Sequence, residues 1–223
     1  MPNHICLEGD SKLEIYSFES LPSTQKYLIE RIRSGELVAP VAVIAAEQSS
    51  GIGSRENGWS GGEGNFFASF AIGLEMLPED LSLSSTSIYF AYIMKQVLGE
   101  QGEKVWLKWP NDLYVNDEKV GGIITQKIKN VLVCGIGINL KNSTNGYRAL
   151  ESDIPAYFLL EKYLESLERF PKWKQIFSEY QIEFEQSRGF SVHIENYQKS
   201  LQNALLCEDG SLLIEGKRVY SLR

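Results

Sequence analysis

The sequence predicts an α/β fold of the mixed (α+β) kind, in which helices flank a largely antiparallel or mixed sheet. Residues 13–18 alternate between apolar and polar side chains, as in a half-buried strand, and residues 22–33 then carry apolar side chains at helical spacing. Short strand-like segments separated by turn residues follow position 188, which predicts a small all-β segment. We therefore expect a main domain at 1–187 and a smaller β domain at 188–223.

Composition narrows the class of protein. The chain has 223 residues, of which 43% are hydrophobic and 23% charged, which is ordinary for a folded globular protein and excludes a disordered or fibrous class. The formal net charge is -7 at pH 7. Because a surface of this sign is poorly suited to phosphate-rich DNA or RNA, no nucleic-acid partner is expected.

The cysteines and histidines exclude several kinds of site. Cys6, Cys134 and Cys207 have no CxxC spacing, which indicates neither a disulfide framework nor a zinc site and favours a reducing cytoplasm. Cys134 lies in an apolar strand with no histidine nearby in sequence, so we interpret it as structural rather than nucleophilic. His4 and His193 are too few for a histidine-based metal site. The N-terminus lacks a basic segment followed by a long apolar run, so neither secretion nor a membrane span is expected.

The first half of the chain predicts strands joined by polar turns. Residues 20–24 form a strand-to-helix turn, whose hydroxyl and N–H groups either bind a small polar ligand or simply cap the helix. An apolar run at 41–46 predicts a buried strand, and a strand resumes at 65–70. Between them we expect a long polar, glycine-rich loop at 47–64, and a loop of this length in a compact domain is usually functional.

The central segment predicts one helix and three strands. An amphipathic helix is expected at 84–98, with Ser84 or Ser85 as its cap and its apolar face against the sheet. Asn116-Asp117 is a hairpin signal between the first two strands that follow. The three expected strands are 105–108, 120–127 and 131–138.

The last third predicts helix followed by short strands. Helical spacing extends over 157–186 with a break at Pro171, and the aromatic residues in this region are interpreted as core packing. Asp209-Gly210 and Glu215-Gly216 are turn signals among the strand-like segments of the tail.

Charged and amide side chains interrupt the apolar strands within one short region. Lys108 and Lys119 either face a ligand there or snorkel to solvent. Pro110 bars a central-strand hydrogen bond, so the chain must turn and present Asn111 and Asp112 at a strand end. Asp112 is the best candidate for a magnesium ligand, with a simple Asx turn as the alternative. Two lysines, an Asn-Asp pair and nearby glycines suit a site that binds a carboxylate, ATP phosphates and magnesium together.

The glycine-rich loop gains interest from its position. Gly51-Ile52-Gly53 lacks both the dinucleotide fingerprint and the P-loop ending, so alone it indicates only a flexible loop. It follows a buried strand, however, contains Arg55 and ends at Trp59. These two residues offer a guanidinium for phosphate and a flat surface for a base. We expect the loop to close over a ligand as a lid.

Three segments together resemble one family. Lys108-Trp109-Pro110-Asn111-Asp112, Lys119-Val120-Gly121-Gly122-Ile123 and Gly135-Ile136-Gly137-Ile138-Asn139 are similar to the motifs of biotin protein ligases, which attach biotin to carrier proteins. Further motifs of that family match Ser23-Thr24, Gln48 and the segment 51–59 in the same order, so the resemblance covers most of the chain. It implies the biotin/lipoate ligase catalytic fold with a short SH3-like β domain at the C-terminus. Too few residues precede the first strand for an N-terminal helix-turn-helix domain, so DNA-binding control is not expected.

The resemblance also implies an activity and its partners. Biotin would be activated by ATP as biotinyl-5'-AMP and transferred to a lysine of a biotin carrier protein, such as that of acetyl-CoA carboxylase. ATP and Mg²⁺ would be the cofactors, biotin the substrate, and the protein a cytoplasmic monomer or weak homodimer.

The site residues implied by the resemblance fall into three sets. The catalytic set is Lys119, Lys108 and Arg55. The biotin-binding set is Ser23, Thr24, Gln25, Gln48, Gly51, Ile52, Gly53, Ser54, Lys119, Gly122, Ile124, Gly135 and Gly137. The ATP-binding set is Arg55, Trp59, Lys108, Asn111, Asp112 and Asn139, with Asp112 also binding the metal.

One departure from the family pattern keeps alternatives open. The family loop often reads Gly-Arg-Gly-Arg, whereas here Ile52 and Ser54 replace both arginines and Arg55 follows one position later. We expect Arg55 to supply the missing charge. A lipoate or octanoate ligase is the alternative enzyme, although the Lys-Trp-Pro-Asn-Asp segment favours biotin. A non-catalytic biotin or adenylate sensor is the alternative from another class, supported only by the missing loop arginines.

Overall fold

A computed structural model describes residues 3–6, 12–53, 58–143, 146–194 and 197–220. Nine strands of this part of the chain form one mixed sheet: β1 (Asn3–Cys6), β2 (Lys12–Leu21), β3 (Val41–Ile52), β4 (Gly58–Gly61), β5 (Phe66–Gly73), β6 (Trp106–Lys108), β7 (Asp112–Val115), β8 (Glu118–Ile128) and β9 (Val131–Ile138). Their order is β1-β2-β3-β5-β9-β8-β7-β6, and β4 pairs with β3. The expected mixed sheet is confirmed.

The sheet lies between helices. The four α-helices among the described residues are α1 (Thr24–Ser34), α2 (Thr86–Glu100), α3 (Ala156–Glu168) and α4 (Trp173–Glu183). β2 and β3 are parallel because α1 crosses between them. Leu28 of α1 packs with Val43 on one face of the sheet, and Ile44 on the opposite face packs with α2. No helix in the described ranges combines the length and the apolar character needed to cross a membrane.

The helix predicted at 84–98 is confirmed by α2, but most of α2 is buried on all sides, so the expectation of an amphipathic helix is wrong. Every residue from Thr86 to Met94 is buried. The sheet covers one side, and α3 and α4 cover others: the Tyr163 hydroxyl donates to the Phe90 carbonyl at 3.1 Å. Ser85 occupies the N-cap position, but its hydroxyl donates to the Asp209 carbonyl instead of capping the helix.

The prediction of an irregular loop at 47–64 is wrong on both sides of residues 54–57. β3 continues to Ile52, and β4 pairs with it antiparallel through Gly51 and Trp59. Glycine residues can adopt the extended backbone here because the two strands form hydrogen bonds with each other. The pairing of β3 with β4 is irregular only in a register shift between Gln48 and Gly51. Residues 54–57 lie outside the described part of the chain.

The hairpin at Asn116-Asp117 joins β7 to β8, and the separate strand β7 was not predicted. The turn expected at Pro110 is confirmed, because it separates β6 from β7. Strand β9 has the predicted bounds, Val131–Ile138.

The C-terminal segment forms two small antiparallel sheets, as expected. Their strands are β10 (Ser191–Ile194), β11 (Tyr197–Ser200), β12 (Leu205–Leu206), β13 (Leu212–Ile214) and β14 (Lys217–Val219), of which β11 was not predicted. Leu201, Ala204 and Leu212 are buried in the same core as α2. The domain boundary at 187/188 stays a prediction.

Helix α4 is capped by a residue far away in sequence. The Asp80 carboxylate accepts hydrogen bonds from the backbone N–H groups of Trp173 and Lys174, each at 3.0 Å. Burial acts to raise the pKa of this carboxyl, but the hydrogen bonds from Lys174 and Trp173 outweigh it and hold the pKa below its ordinary value.

We therefore expect Asp80→Ala to lower the free energy of unfolding by about 1 kcal/mol, the usual cost of losing a helix cap. Because the folded-state pKa is lowered, the pH-dependent part of this stability is present above the ordinary carboxyl pKa and is lost as the pH falls through the lowered value. Solvent screening keeps that part small, since Asp80 is exposed. Urea denaturation at neutral and acid pH measures both effects, with the exposed neighbour replaced in Glu79→Ala as the control. Equal losses in the two variants at neutral pH would contradict the capping role.

Candidate active site

One pocket forms where the N-terminus of α1 meets strands β3, β5, β8 and β9. It encloses about 440 Å³, including the part that is open to solvent. Its lining residues are Ser23, Thr24, Gln25, Gln48, Ile52, Gly53, Trp59, Ser69, Asn111, Asp112, Lys119, Gly122, Ile124, Gly135, Ile136 and Gly137. The sequence-predicted residues of four separate segments thus converge on one cavity.

One end of the pocket is an uncharged hydrogen-bonding network. The Thr24 N–H donates to Gln48 Oε1 at 2.9 Å, and the hydroxyls of Thr24 and Ser69 lie 2.9 Å apart. Gln48 Nε2 in turn donates to the carbonyl of Trp59 at 3.1 Å. All of these side chains are buried, so their polar atoms are held in place for a neutral polar ligand. Ser23 caps α1 by accepting from the Lys26 N–H, and it also lines the pocket, so its contact with biotin stays a prediction.

The other end carries net positive charge. The Lys119 ammonium lies 2.6 Å from Asp112 Oδ1, and the Lys108 ammonium lies 4.0 Å from Asp112 Oδ2. Only 9% of the Lys108 side chain and 16% of the Lys119 side chain are exposed, so neither snorkels fully into solvent. Two ammonium groups around one carboxylate leave an excess positive charge, which favours an anionic ligand.

Asn111 fixes the turn that places Asp112. Its side-chain Nδ2 donates to the Ile123 carbonyl at 2.6 Å, and its own carbonyl accepts from the Ile123 N–H at 2.9 Å. Both bonds attach the turn to β8, the strand that also carries Lys119. The lysine and the carboxylate are therefore held to one another through the backbone as well as through their ion pair.

Aromatic rings cover the charged end. The rings of Trp59 and Tyr147 stack with centroids 5.4 Å apart and an angle of 19° between their planes. The Lys119 ammonium lies 5.6 Å from the Trp59 ring centroid and 5.3 Å from that of Tyr147. These flat surfaces suit a planar ring next to a charged group.

Two buried polar atoms in the pocket have no hydrogen-bond partner among the described residues: Gln25 Oε1 and Trp59 Nε1. Each faces a glycine of β9. A Cβ atom at Gly135 would lie 3.1 Å from Gln25 Oε1, and one at Gly137 would overlap the Trp59 indole. Buried polar atoms are rarely left unpaired, so these two indicate where a ligand would bind.

Most of the expected site residues are therefore brought together, but some are not. Lys108 and Gly51 do not line the pocket themselves but contact residues that do: Lys108 lies beside Asp112, and Gly51 lies beside Gln48. Asn139 is completely buried and donates from Nδ2 to the Arg148 carbonyl at 3.2 Å, outside the pocket lining. Its contact with adenine stays a prediction. Ser54 and Arg55 fall outside the described residues.

The sequence analysis missed Ser69 and Tyr147. Ser69 carries the one hydroxyl group in the otherwise apolar strand β5, and this local signal could have identified it. Tyr147 lies in a turn-rich segment with no local signal, and it reaches Trp59 only because the Arg148 N–H pairs with the Lys119 carbonyl. Cys134 is completely buried and its pKa is raised by desolvation, so its thiol is inert, as expected.

Residues 17–142 match the Biotin/lipoate A/B protein ligase family, which is more than half of the chain. The chain belongs to this family. The "Bifunctional ligase/repressor BirA" of Escherichia coli is 36% identical over 127 residues, which are 54% of this chain and 38% of that protein. The "Biotin--[acetyl-CoA-carboxylase] ligase" of Mycobacterium tuberculosis is 27% identical over 53% of this chain and 46% of its own length. The matched region thus spans less than half of these relatives.

Solved structures match over nearly the full chain. A biotin acetyl coenzyme A carboxylase synthetase from Helicobacter pylori, with bound biotinylated ATP, has a TM-score of 0.88 and 39% identity over 92% of this chain and 98% of that one. A biotin protein ligase from Aquifex aeolicus, in complex with biotin and ATP, has a TM-score of 0.74 at 22% identity over 94% and 95% of the two chains, which shows the shared fold. The expected resemblance to biotin protein ligases is confirmed.

Proposed function

We propose that this chain is an ATP-dependent biotin protein ligase. It activates biotin as biotinyl-5'-AMP and transfers the biotinyl group to a lysine of a biotin carrier protein, such as that of acetyl-CoA carboxylase. The observation that carries the proposal is the single pocket with an uncharged hydrogen-bonding end and a cationic end. Biotin has a neutral polar ring system at one end and a carboxylate at the other, and the 39% identity to the Helicobacter pylori protein supports the match.

The neutral end is assigned to the ring system of biotin. Thr24, Gln48 and Ser69 already form one network, so they need little reorganisation to bind a ureido group. Gln25 Oε1, which has no partner among the described residues, is available to accept from a ligand N–H. Gly135 and Gly137 let the Gln25 side chain and the Trp59 indole pack directly against β9, and the room that these glycines give the valeryl chain of biotin stays a prediction.

The cationic end is assigned to the reacting groups. In the first step an oxygen of the biotin carboxylate attacks the α-phosphorus of ATP, and pyrophosphate leaves. Lys119 and Lys108 offset the negative charge that develops on the phosphoryl oxygens. Trp59 and Tyr147 offer stacking surfaces for the adenine. Arg55, Ser54, Asn111 and Asn139 keep their predicted roles within this proposal.

The second step uses a nucleophile from the partner. The carrier lysine amine attacks the acyl carbon of the mixed anhydride, and AMP leaves. Asp112 is the one carboxylate in the pocket lining, and Lys119 already pairs with it at 2.6 Å. The chain's contribution to both steps is therefore orientation, charge and exclusion of water from the anhydride.

The side chains in the described part of the chain offer too few ligands for magnesium on their own, so the pocket fits the ion only when it is bound to ATP. The described residues contain no group of three or more His, Cys, Asp or Glu side chains that could hold a metal ion. Magnesium typically uses one or two carboxylates together with substrate phosphates, so Asp112 would be its carboxylate ligand. When bound, the ion would neutralise phosphate charge. The proposal also includes a cytoplasmic location, a monomer or weak homodimer, and no nucleic-acid partner. The free thiols of Cys134 and Cys207 agree with the cytoplasmic location.

Labelled biotin, ATP and a biotin carrier domain test the proposal in one mixture. We expect ATP-dependent covalent label on the carrier lysine, and no effect of excess lipoate or octanoate on it. Transfer of lipoate or octanoate in place of biotin would support the related ligase instead. Formation of the adenylate without transfer to the carrier would support a sensor, and neither product would contradict the assignment.

A further inference from the structure

Strand β6 is the last strand on its side of the sheet, yet two N–H groups at this edge, one within β6 and one just after it, are paired. The Leu107 N–H donates to Glu183 Oε1 at 2.6 Å, and the Trp109 N–H donates to Ser187 Oγ at 3.3 Å. These two donors are two residues apart, which is the spacing of groups on one edge of a strand. Side chains of the C-terminal half therefore take the place of a neighbouring strand.

Glu183 is itself fixed on both sides. Its second carboxylate oxygen lies 2.5 Å from the Lys95 ammonium, on α2. Ser187 is completely buried in the 3-10 turn that follows α4. Glu183 is thus held by its ion pair with Lys95, and Ser187 is held by its burial. Neither acceptor is a mobile surface side chain.

A third contact holds the indole of Trp109. Its Nε1 donates to the Gly210 carbonyl at 2.9 Å. Gly210 has a φ of +74°, and a Cβ there would lie 2.9 Å from Ile88 Cδ1, so only glycine fits this tight turn without strain. The preceding carbonyl groups accept from other elements: that of Glu208 binds Trp173 Nε1 at 2.7 Å, and that of Asp209 binds the Ser85 hydroxyl.

The contacts end at the charged site. Lys108 lies between Leu107 and Trp109, and its ammonium lies 5.7 Å from the ring centroid of Phe190, just after the 3-10 turn. The same ammonium is 4.0 Å from Asp112 Oδ2. The position of Lys108 is therefore set from two sides. Residues 183–210 supply the ring of Phe190 and the backbone contacts of Leu107 and Trp109, whereas β7 supplies Asp112 and the ring of Tyr114, whose centroid lies 5.4 Å from the ammonium.

We propose that Glu183, Ser187 and Gly210 are positioning residues, which fix the segment from Leu107 to Asp112 and so orient Lys108 and Asp112 toward the phosphates of ATP. This proposal rests on the proposed function. It assigns residues 183–210 a role in the first chemical step, although none of them lines the pocket. The network of Thr24, Gln48 and Ser69 lies on other elements, so the end of the pocket that is assigned to the ring system of biotin does not depend on these contacts.

Two tryptophans provide a matched test. Trp109→Phe and Trp173→Phe each remove an indole donor to a carbonyl of the same turn, and both rings are buried. We expect Trp109→Phe to lower kcat/KM for ATP in biotin-dependent pyrophosphate exchange by about 10-fold to about 100-fold, with the Kd for biotin unchanged. Trp173→Phe should leave both quantities unchanged when the two variants are assayed below their melting temperatures.

Ser187→Ala keeps the test decisive if Trp109→Phe does not fold. It removes one acceptor from the Trp109 N–H, and we expect a smaller fall in kcat/KM for ATP, again without loss of biotin affinity. Equal falls in the two tryptophan variants, or wild-type exchange in Ser187→Ala, would overturn the positioning role alone. Absence of biotin-dependent exchange in the unaltered protein would instead overturn the proposed function.

Discussion

Replacing Lys119 with alanine is expected to reduce biotin-dependent pyrophosphate exchange by about 100-fold to about 1,000-fold, the usual effect of losing one donor to a developing oxyanion. Lys119 is the ammonium nearest to Asp112, and it lies under the stacked rings of Trp59 and Tyr147. In the proposed function, removing it deletes the charge that is assigned to both the biotin carboxylate and the α-phosphate. The fold should be retained, because the side chain faces the pocket and not the hydrophobic core.

The uncharged alcohol analogue of biotin separates charge pairing from general damage to the pocket. Lys119→Ala should weaken binding of biotin but not of the alcohol, since only the carboxylate pairs with the ammonium. Lys127→Ala is the matched control, because Lys127 is an exposed lysine on the same strand, β8. Normal exchange by Lys119→Ala, or equal weakening of both ligands, would rule out this role.

The parts of the site that are local in sequence could be predicted. Pro110 required a turn after a short strand, so Asn111 and Asp112 were expected at a strand end, and they lie there. A lysine next to apolar strand residues was expected either to face a ligand or to reach solvent. Lys119 lines the pocket, because side chains alternate along β8 and its neighbour Val120 is buried in the core on the other face.

The parts that depend on long-range contacts could not be predicted. Glycine content predicted a loop at 47–64, whereas the ladder between β3 and β4 overrides the weak local preference. Tyr147 reaches the pocket through pairing with a strand nearly thirty residues earlier, as Arg148 N–H bonds to the Lys119 carbonyl. The contact of Gly210 with Trp109 spans about a hundred residues, and no spacing pattern encodes it.

Gly51→Ala is expected to abolish most of the affinity for biotin. A Cβ at residue 51 would overlap Gln48 Nε2 and the Trp59 carbonyl, and it would lie 2.6 Å from Gln48 Cδ. The side chain of Gln48 must therefore move, and the overlap with the Trp59 carbonyl must also push β4 away from β3. The hydrogen bond from the Thr24 N–H to Gln48 would then be lost. We expect the Kd for biotin to rise by about 100-fold, equivalent to about 2.7 kcal/mol.

Gly58→Ala tests whether this loss comes from steric overlap or from stiffening of a glycine-rich hairpin. Gly58 lies on β4 of the same hairpin, paired with Ile52, and a Cβ there would meet no atom of the described residues within 4 Å. Both substitutions remove the same backbone freedom from the unfolded chain, but only the one at Gly51 displaces Gln48. Calorimetric titration with biotin should therefore show wild-type affinity for Gly58→Ala. Comparable losses in both variants would mean that backbone flexibility, and not the position of Gln48, controls biotin binding.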